Sequence, residues 1–185
     1  MNQVLNIIAS RRSHRAYEGQ QITDEQLQSL LTAAVQAPSA VNGQPWHFSV
    51  VQNAQLLKEI NEACRETAMK LDESKRSPRF ADPEFDVFYH APTVIFLSAK
   101  PENGWAKLDC GIAVQTIALA AESLGLGSVI LGLPRMAFET EKANMLREKL
   151  CFPAGNDFVI AIALGTPADD KEAHPVGENK ISFVK

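Results

Sequence analysis

Apolar residues at Leu27, Leu30, Leu31, Ala34 and Val35 recur with the three- and four-residue spacing of an amphipathic helix. Its start is written just ahead: Thr23 can cap the first turn, Gln26 completes a capping box, and Ile22 can staple against Leu27. Pro38 ends it, because the residue before a proline is pushed out of the α region. Val4, Leu5, Ile7 and Ile8 predict a short helix before it that closes near Arg11. Asn53 opens a third helix, whose buried stripe is Leu57, Ile60, Cys64, Ala68 and Leu71. The stretch 108–124 is apolar around most of its circumference, which places it in the core or at a subunit interface, with Gly125 as its C-cap. A last helix is predicted over 139–150, and strands over 46–51, 93–98, 128–131 and 158–164.

Between 72 and 90 no period holds, and Ser, Lys, Arg, Pro and Asp mix with Phe80, Phe85, Phe88 and Tyr89. Connections of this length are usually functional or mobile, and the aromatics suggest a partly packed lid. The tail over 168–180 is polar, and Ile181-Ser182-Phe183-Val184 could add a final strand that lacks local partners. Helices interleaved with strands predict an α+β fold, an α/β sandwich around a small mixed central sheet. No repeat, linker or low-complexity tract divides residues 1–185, so one domain is expected.

Composition narrows the function. A chain of 185 residues suits one domain or one protomer of an intimate dimer, and a net charge of −4 argues against general nucleic-acid binding. Cys64, Cys110 and Cys151 form no CxxC pair, which suits a reducing cytosol and argues against a zinc site or disulfide scaffold. The N-terminus lacks the basic and apolar regions of a signal peptide. The apolar stretch 112–124 is broken by Gln115, Thr116, Glu122 and Ser123, too short and too polar to span a bilayer. A soluble, cytoplasmic protein is expected.

Arg11-Arg12-Ser13-His14-Arg15 puts three guanidinium groups and a hydroxyl within one short segment. A basic helix end complementing the macrodipole accounts for one or two arginines, but not for three beside a serine in an acidic protein. Guanidinium forks match phosphate oxygens, so a local anion site is expected, with His14 facing solvent or a surface neighbour. Residues 37–46 read Ala-Pro-Ser-Ala-Val-Asn-Gly-Gln-Pro-Trp, a small-residue loop between a helix and a strand. Side chains as small as Ser39 and Ala40 let backbone groups approach a flat ring, and Asn42 offers both donor and acceptor. Gln44 reads as loop-fixing and Trp46 as core. Gly125-Leu126-Gly127 lacks dinucleotide-fingerprint spacing, so a nicotinamide cofactor would bind transiently over another cofactor. The four histidines show no metal-ligand spacing and no serine sits in a nucleophile elbow, so no metal and no catalytic side chain is assigned.

The two motifs, at this separation and in this order of elements, resemble the FMN-dependent nitroreductase family across almost the whole chain. Its members carry Arg-Arg-Ser-x-Arg after a short helix and Ala-Pro-Ser-x-x-Asn-x-Gln-Pro-Trp after the next. The resemblance implies a flavoenzyme with FMN, not FAD, as its cofactor and NAD(P)H as transient donor. It implies ping-pong transfer to an electron-poor small-molecule acceptor such as a nitroaromatic or quinone. It further implies a homodimer in which the arm over 168–185 is exchanged. Arg11, Arg12, Ser13 and Arg15 would hold the phosphate, joined by Lys180. Pro38, Ser39, Ala40 and Asn42 would meet the flavin held mainly by the other subunit, and the turn at Leu131 and Gly132 would lie beside it. Lys70, Lys75, Arg76 and Arg79 stay open as the cation facing the flavin's pyrimidine edge. The competing readings are a specialised relative (a reductive dehalogenase or flavin-cleaving enzyme), a non-catalytic FMN-binding protein and a flavin-free structural dimer.

Overall fold

Four strands form the centre of the computed structural model, which describes residues 2–185. They are β1 (His47–Val51), β2 (Thr93–Ala99), β3 (Gly127–Leu131) and β4 (Asp157–Gly165), arranged β1-β2-β4-β3. Every neighbouring pair is antiparallel. The expected mixed sheet is therefore antiparallel in its four strands, and parallel pairing enters through an isolated Ser13–Ser128 bridge. The cause is topological. β2 and β3 run the same way, as a helical crossover requires, but β4 is inserted between them and opposes both.

Alternation along the strands sends side chains to two layers. Val94, Phe96, Val129, Leu131, Ala161 and Ala163 face one apolar cluster; Ile95, Leu97, Ala99, Ile162 and Leu164 face the other. β2 is buried along its whole length, hence its unbroken run Thr-Val-Ile-Phe-Leu-Ser-Ala. The first layer is closed by α3 (Ala54–Lys70), by a 3₁₀ segment (Leu133–Glu139) and by α5 (Ala143–Lys149). The second is closed by α2 (Asp24–Val35) and α4 (Ala106–Ser123), with α1 (Gln3–Ser10) packed outside α4. An α/β sandwich results, as the interleaved pattern predicts.

The helix signals hold in detail. Gln26 N–H donates to Thr23 Oγ1 (3.1 Å) and Thr23 N–H donates to Gln26 Oε1 (2.9 Å), a complete capping box. α4 ends in a Schellman motif: Leu126 N–H donates to Ala121 O (2.9 Å), Gly125 N–H to Glu122 O (3.1 Å), and Gly125 takes φ 71°. Three expectations change. Leu71 falls past the end of α3 and is exposed, so it leaves the buried stripe. The helix expected over 139–150 begins at Ala143, because Thr140 is extended and ends the 3₁₀ segment before it. The final strand over 181–184 does not form, since no described segment lies beside it to pair with, and Ile181, Phe183 and Val184 are 77%, 85% and 98% exposed.

α4 buries one face (Ala106, Cys110, Ala113, Val114, Ile117, Ala118 and Ala121) and leaves Leu108 exposed and Ile112 half-buried. α1, with no buried residue, adds exposed Val4, Leu5 and Ile8. No helix is long and apolar enough to cross a membrane among the described residues.

Candidate functional site

Residues 11–18 leave α1 as an extended ribbon laid between β3 and the end of β4. His14 N–H donates to Ser128 O (3.0 Å), Glu18 N–H to Thr166 O (2.9 Å), and Ala168 N–H to Ala16 O (2.9 Å). Two glycines permit the close approach. A Cβ on Gly127 would stand 2.9 Å from Pro167 Cβ and 3.1 Å from His14 Cβ; one on Gly165 would stand 2.9 Å from Pro92 Cδ. Tyr17 O–H donates to His14 O (2.9 Å), and burial pushes its phenol up, so it remains a donor at any ordinary pH.

Asp169 fixes the ribbon from the side. Its Oδ2 accepts from Arg15 N–H (2.9 Å), and its Oδ1 lies 2.7 Å from His14 Nδ1. Partial burial alone would raise the Asp169 carboxyl, but the Arg15 amide, His14 and Lys171 outweigh it and hold the group below the usual carboxylate range. His14 is thus no solvent-facing residue. Its side chain is 14% exposed, and its hydrogen bond with Asp169 anchors the cationic segment. Sequence reading missed this pair because its members are 155 residues apart.

The three arginines then differ. Arg11 makes no side-chain hydrogen bond or ion pair among the described residues. Arg12 folds back on α1, where Nη1 donates to Ala9 O (2.7 Å) and Arg11 O (2.9 Å), while its buried Nε has no partner. One arginine is therefore partly the helix cap that the macrodipole argument foresaw, with one donor left pointing at nothing. Arg15 is exposed, with its Cζ 5.9 Å from the centre of the Tyr89 ring. An anion with several oxygens fits this set: a fork without a described partner at 11, an exposed fork at 15 whose Nη1 donates to Ser13 O (3.4 Å), an orphaned N–H at 12 and a hydroxyl at 13. Leu131 and Gly132 end the same strand whose Ser128 holds the ribbon, about 10 Å further along at the usual rise per residue. Leu131 is buried and Gly132 is exposed, so backbone is what this turn offers.

The 38–44 loop is built elsewhere, at the end of α2. Ala40 N–H donates to Oδ1 of Asp109 (3.1 Å), a carboxylate on α4 that is 3% exposed. Gln44 N–H donates to Ser39 Oγ (3.0 Å) and Gln44 Nε2 to Asn42 Oδ1 (3.1 Å), which makes Gln44 the loop-fixing residue and leaves Asn42 a free donor. Val41, Asn42 and Gln44 all take left-handed backbone, with φ of 49°, 55° and 41°. For a β-branched valine that is uncommon, and strain of this kind persists only where surroundings over-determine it. No hydrogen bond or ion pair among the described residues joins this loop to the ribbon. Lys180 likewise stays apart, exposed in the tail against Gly177.

The 72–90 segment is firmly held. Arg65 on α3 donates to four of its carbonyls, at Phe80 (3.4 Å), Asp82 (2.9 Å), Pro83 (2.9 Å) and Phe85 (3.0 Å), and Val87 N–H donates to Asn61 Oδ1 (3.0 Å). Phe80 and Phe88 are each 1% exposed, inside the core, so they do not face a substrate; Phe85 is half-buried. Among the open cations, Lys70 pairs with Glu66, Lys75 with Asp72, and Arg76 Nη1 contacts Met69 Sδ. Arg79 alone of the four reaches the ribbon's surroundings: its Nη1 donates to Tyr89 O–H (2.7 Å) and its Cζ lies 6.0 Å from that ring. Burial pushes the thiols of Cys64 and Cys110 up to about 12, which leaves them inert packing.

Residues 8–166 match the family model described as Nitroreductase family. The chain is 39% identical over 173 residues to a protein of Archaeoglobus fulgidus provisionally named an NADH dehydrogenase/NAD(P)H nitroreductase, over 93% of this chain and 90% of that one. Among solved structures, a nitroreductase with bound FMN from Desulfitobacterium hafniense DCB-2 superposes over the whole of both chains with a TM-score of 0.95 at 35% identity. A second nitroreductase with bound FMN, from Bacteroides fragilis NCTC 9343, does so with a TM-score of 0.92 at 30% identity.

Proposed function

Given that the chain belongs to the nitroreductase family, we propose that it is an FMN-dependent NAD(P)H oxidoreductase passing electrons to an electron-poor small molecule such as a nitroaromatic or quinone. The observation that carries this reading is the cationic ribbon, in which Arg11 has no side-chain partner among the described residues and Arg12 Nε is buried and orphaned. Bound FMN supplies the relay that accepts electrons from NAD(P)H and delivers them to the acceptor. The protein does the rest. Arg11, Arg12, Ser13 and Arg15 bind the phosphate, and β3 leads from them to the Leu131–Gly132 turn at the ring. Pro38, Ser39 and Ala40, fixed by the Ala40 amide on Asp109, would lie against the flavin of the other subunit, with Asn42 as a free donor. Donor and acceptor would occupy the same site in turn, which is the basis of ping-pong exchange.

The purified protein is expected to be yellow, to release FMN on heating, and to bleach on adding NADH or NADPH. Chromatography identifies the released chromophore; FAD as the sole species, or a flavin that nicotinamide does not bleach, sinks this reading.

The working unit in this proposal is a homodimer. Exposed apolar residues on α1 and α4 supply its interface, and obligate interfaces bury about 2,000–5,000 Å². β1 is an open sheet edge, because it pairs with β2 alone among the described strands, whereas β3's outer edge carries the ribbon. Beside β1 runs a groove of about 410 Å³ with the buried, unpartnered Ser49 Oγ in its wall. The 181–184 segment of a second copy, apolar and extended, suits that edge. Ending the chain at Pro175 should therefore weaken the dimer strongly. Analytical ultracentrifugation measures this, and a full-length protein that runs as a stable, FMN-loaded monomer at micromolar concentration refutes the dimer.

A further inference from the structure

Two arginines converge on one ring. Arg15 comes from the ribbon and Arg79 from the 72–90 segment; their Cζ atoms lie 5.9 and 6.0 Å from the centre of Tyr89, and Arg79 also donates to its hydroxyl. Neither guanidinium forms an ion pair with a carboxylate among the described residues, and the other hold on that of Arg15 is a long bond from Nη1 to Ser13 O (3.4 Å). An exposed guanidinium with no anion beside it ordinarily samples many rotamers, and a flat aromatic face restricts it. Tyr89 is itself fixed at some cost. It and His90 both take left-handed backbone, with φ of 56° and 55°, and its ring packs edge-on against Phe85 at 5.8 Å. Asp86 holds this bend through Phe88 N–H (2.7 Å) and His90 (3.2 Å). Arg65 grips the same segment from α3.

We propose that Tyr89 is a positioning residue: its ring holds Arg15 ready for the cofactor's phosphate, and its hydroxyl holds Arg79 beside it. The 72–90 segment thereby acts on the cofactor end of the site, through a residue that touches no reacting atom. This rests on the reading of Arg15 as a phosphate ligand.

FMN release from the holoprotein on dilution, followed by flavin fluorescence, tests it in a double-mutant cycle. Tyr89→Asn removes the ring at a left-handed position that asparagine tolerates. It should weaken FMN binding roughly threefold to tenfold, the range expected for one cation–π contact. Tyr89→Phe keeps the ring and should stay within about twofold of the parent, since the ring and not the hydroxyl faces Arg15. On an Arg15→Ala background, Tyr89→Asn should cost nothing further. A purely structural Tyr89 gives the opposite result, the same loss on both backgrounds, and overturns the proposal; so does a Phe variant as weak as the Asn one. If Arg15→Ala alone leaves affinity unchanged, the phosphate assignment of Arg15 fails and this inference falls with it. Should Tyr89→Asn lose its cooperative melting transition, Tyr89→Gly, which also tolerates the left-handed backbone, replaces it in the cycle with the same expectations.

Discussion

Alanine at Phe80 or at Phe88 is expected to cost about 3–5 kcal/mol of folding stability and to leave the ranking of electron acceptors unchanged. Both rings are 1% exposed. Phe88 packs edge-on against Phe96 of β2 (5.8 Å) and Phe80 against Phe85 (5.3 Å), so each truncation opens a cavity under the segment that Arg65 holds. Urea denaturation of the FMN-loaded protein reads the loss. A change of less than about 1 kcal/mol together with a reordered acceptor series would place these rings at the substrate, against the burial described here. Phe85, only half-buried, should lose less than either neighbour.

Arg11→Ala should weaken FMN binding by roughly ten- to a hundredfold, the usual worth of about 1.5–3 kcal/mol for charge-assisted hydrogen bonds to a phosphate. Arg11 is the cleanest of the three arginines to test, because its side chain has no other described partner to lose. Arg12→Ala would confound two effects: its Nη1 also satisfies the carbonyls of Ala9 and Arg11 at the end of α1. Fluorescence titration decides the point. Coincident binding curves for the parent and Arg11→Ala would remove this residue from the site.

What the sequence discloses is what is local. The Thr23–Gln26 capping box, the Gly125 helix end and the buried strand at β2 depend on residues within a few positions of each other, and each stands where its pattern put it. The cationic ribbon and the 38–44 loop were legible because their chemistry is concentrated in consecutive residues. Three features were not. The insertion of β4 between β2 and β3 depends on which strands meet, and periodicity carries no such information. His14–Asp169 and Asp109–Ala40 join residues 155 and 69 positions apart. Phe88 and Phe80 lie in a segment with no period, where burial is set by Arg65 and Asn61 on a different helix.

The ribbon's pairing also sets a schedule. Residues 11–18 leave the ribosome long before their partners: Arg15 waits for Asp169, 154 residues later, and Glu18 waits for Thr166. At the usual pace of synthesis that interval is roughly 8–30 s. Throughout it the ribbon lacks the carboxylate that fixes the Arg15 amide and the carbonyl that fixes Glu18. Cofactor capture is therefore a late event in the life of each new chain, and a nascent polypeptide stalled before Asp169 carries the motif without the site.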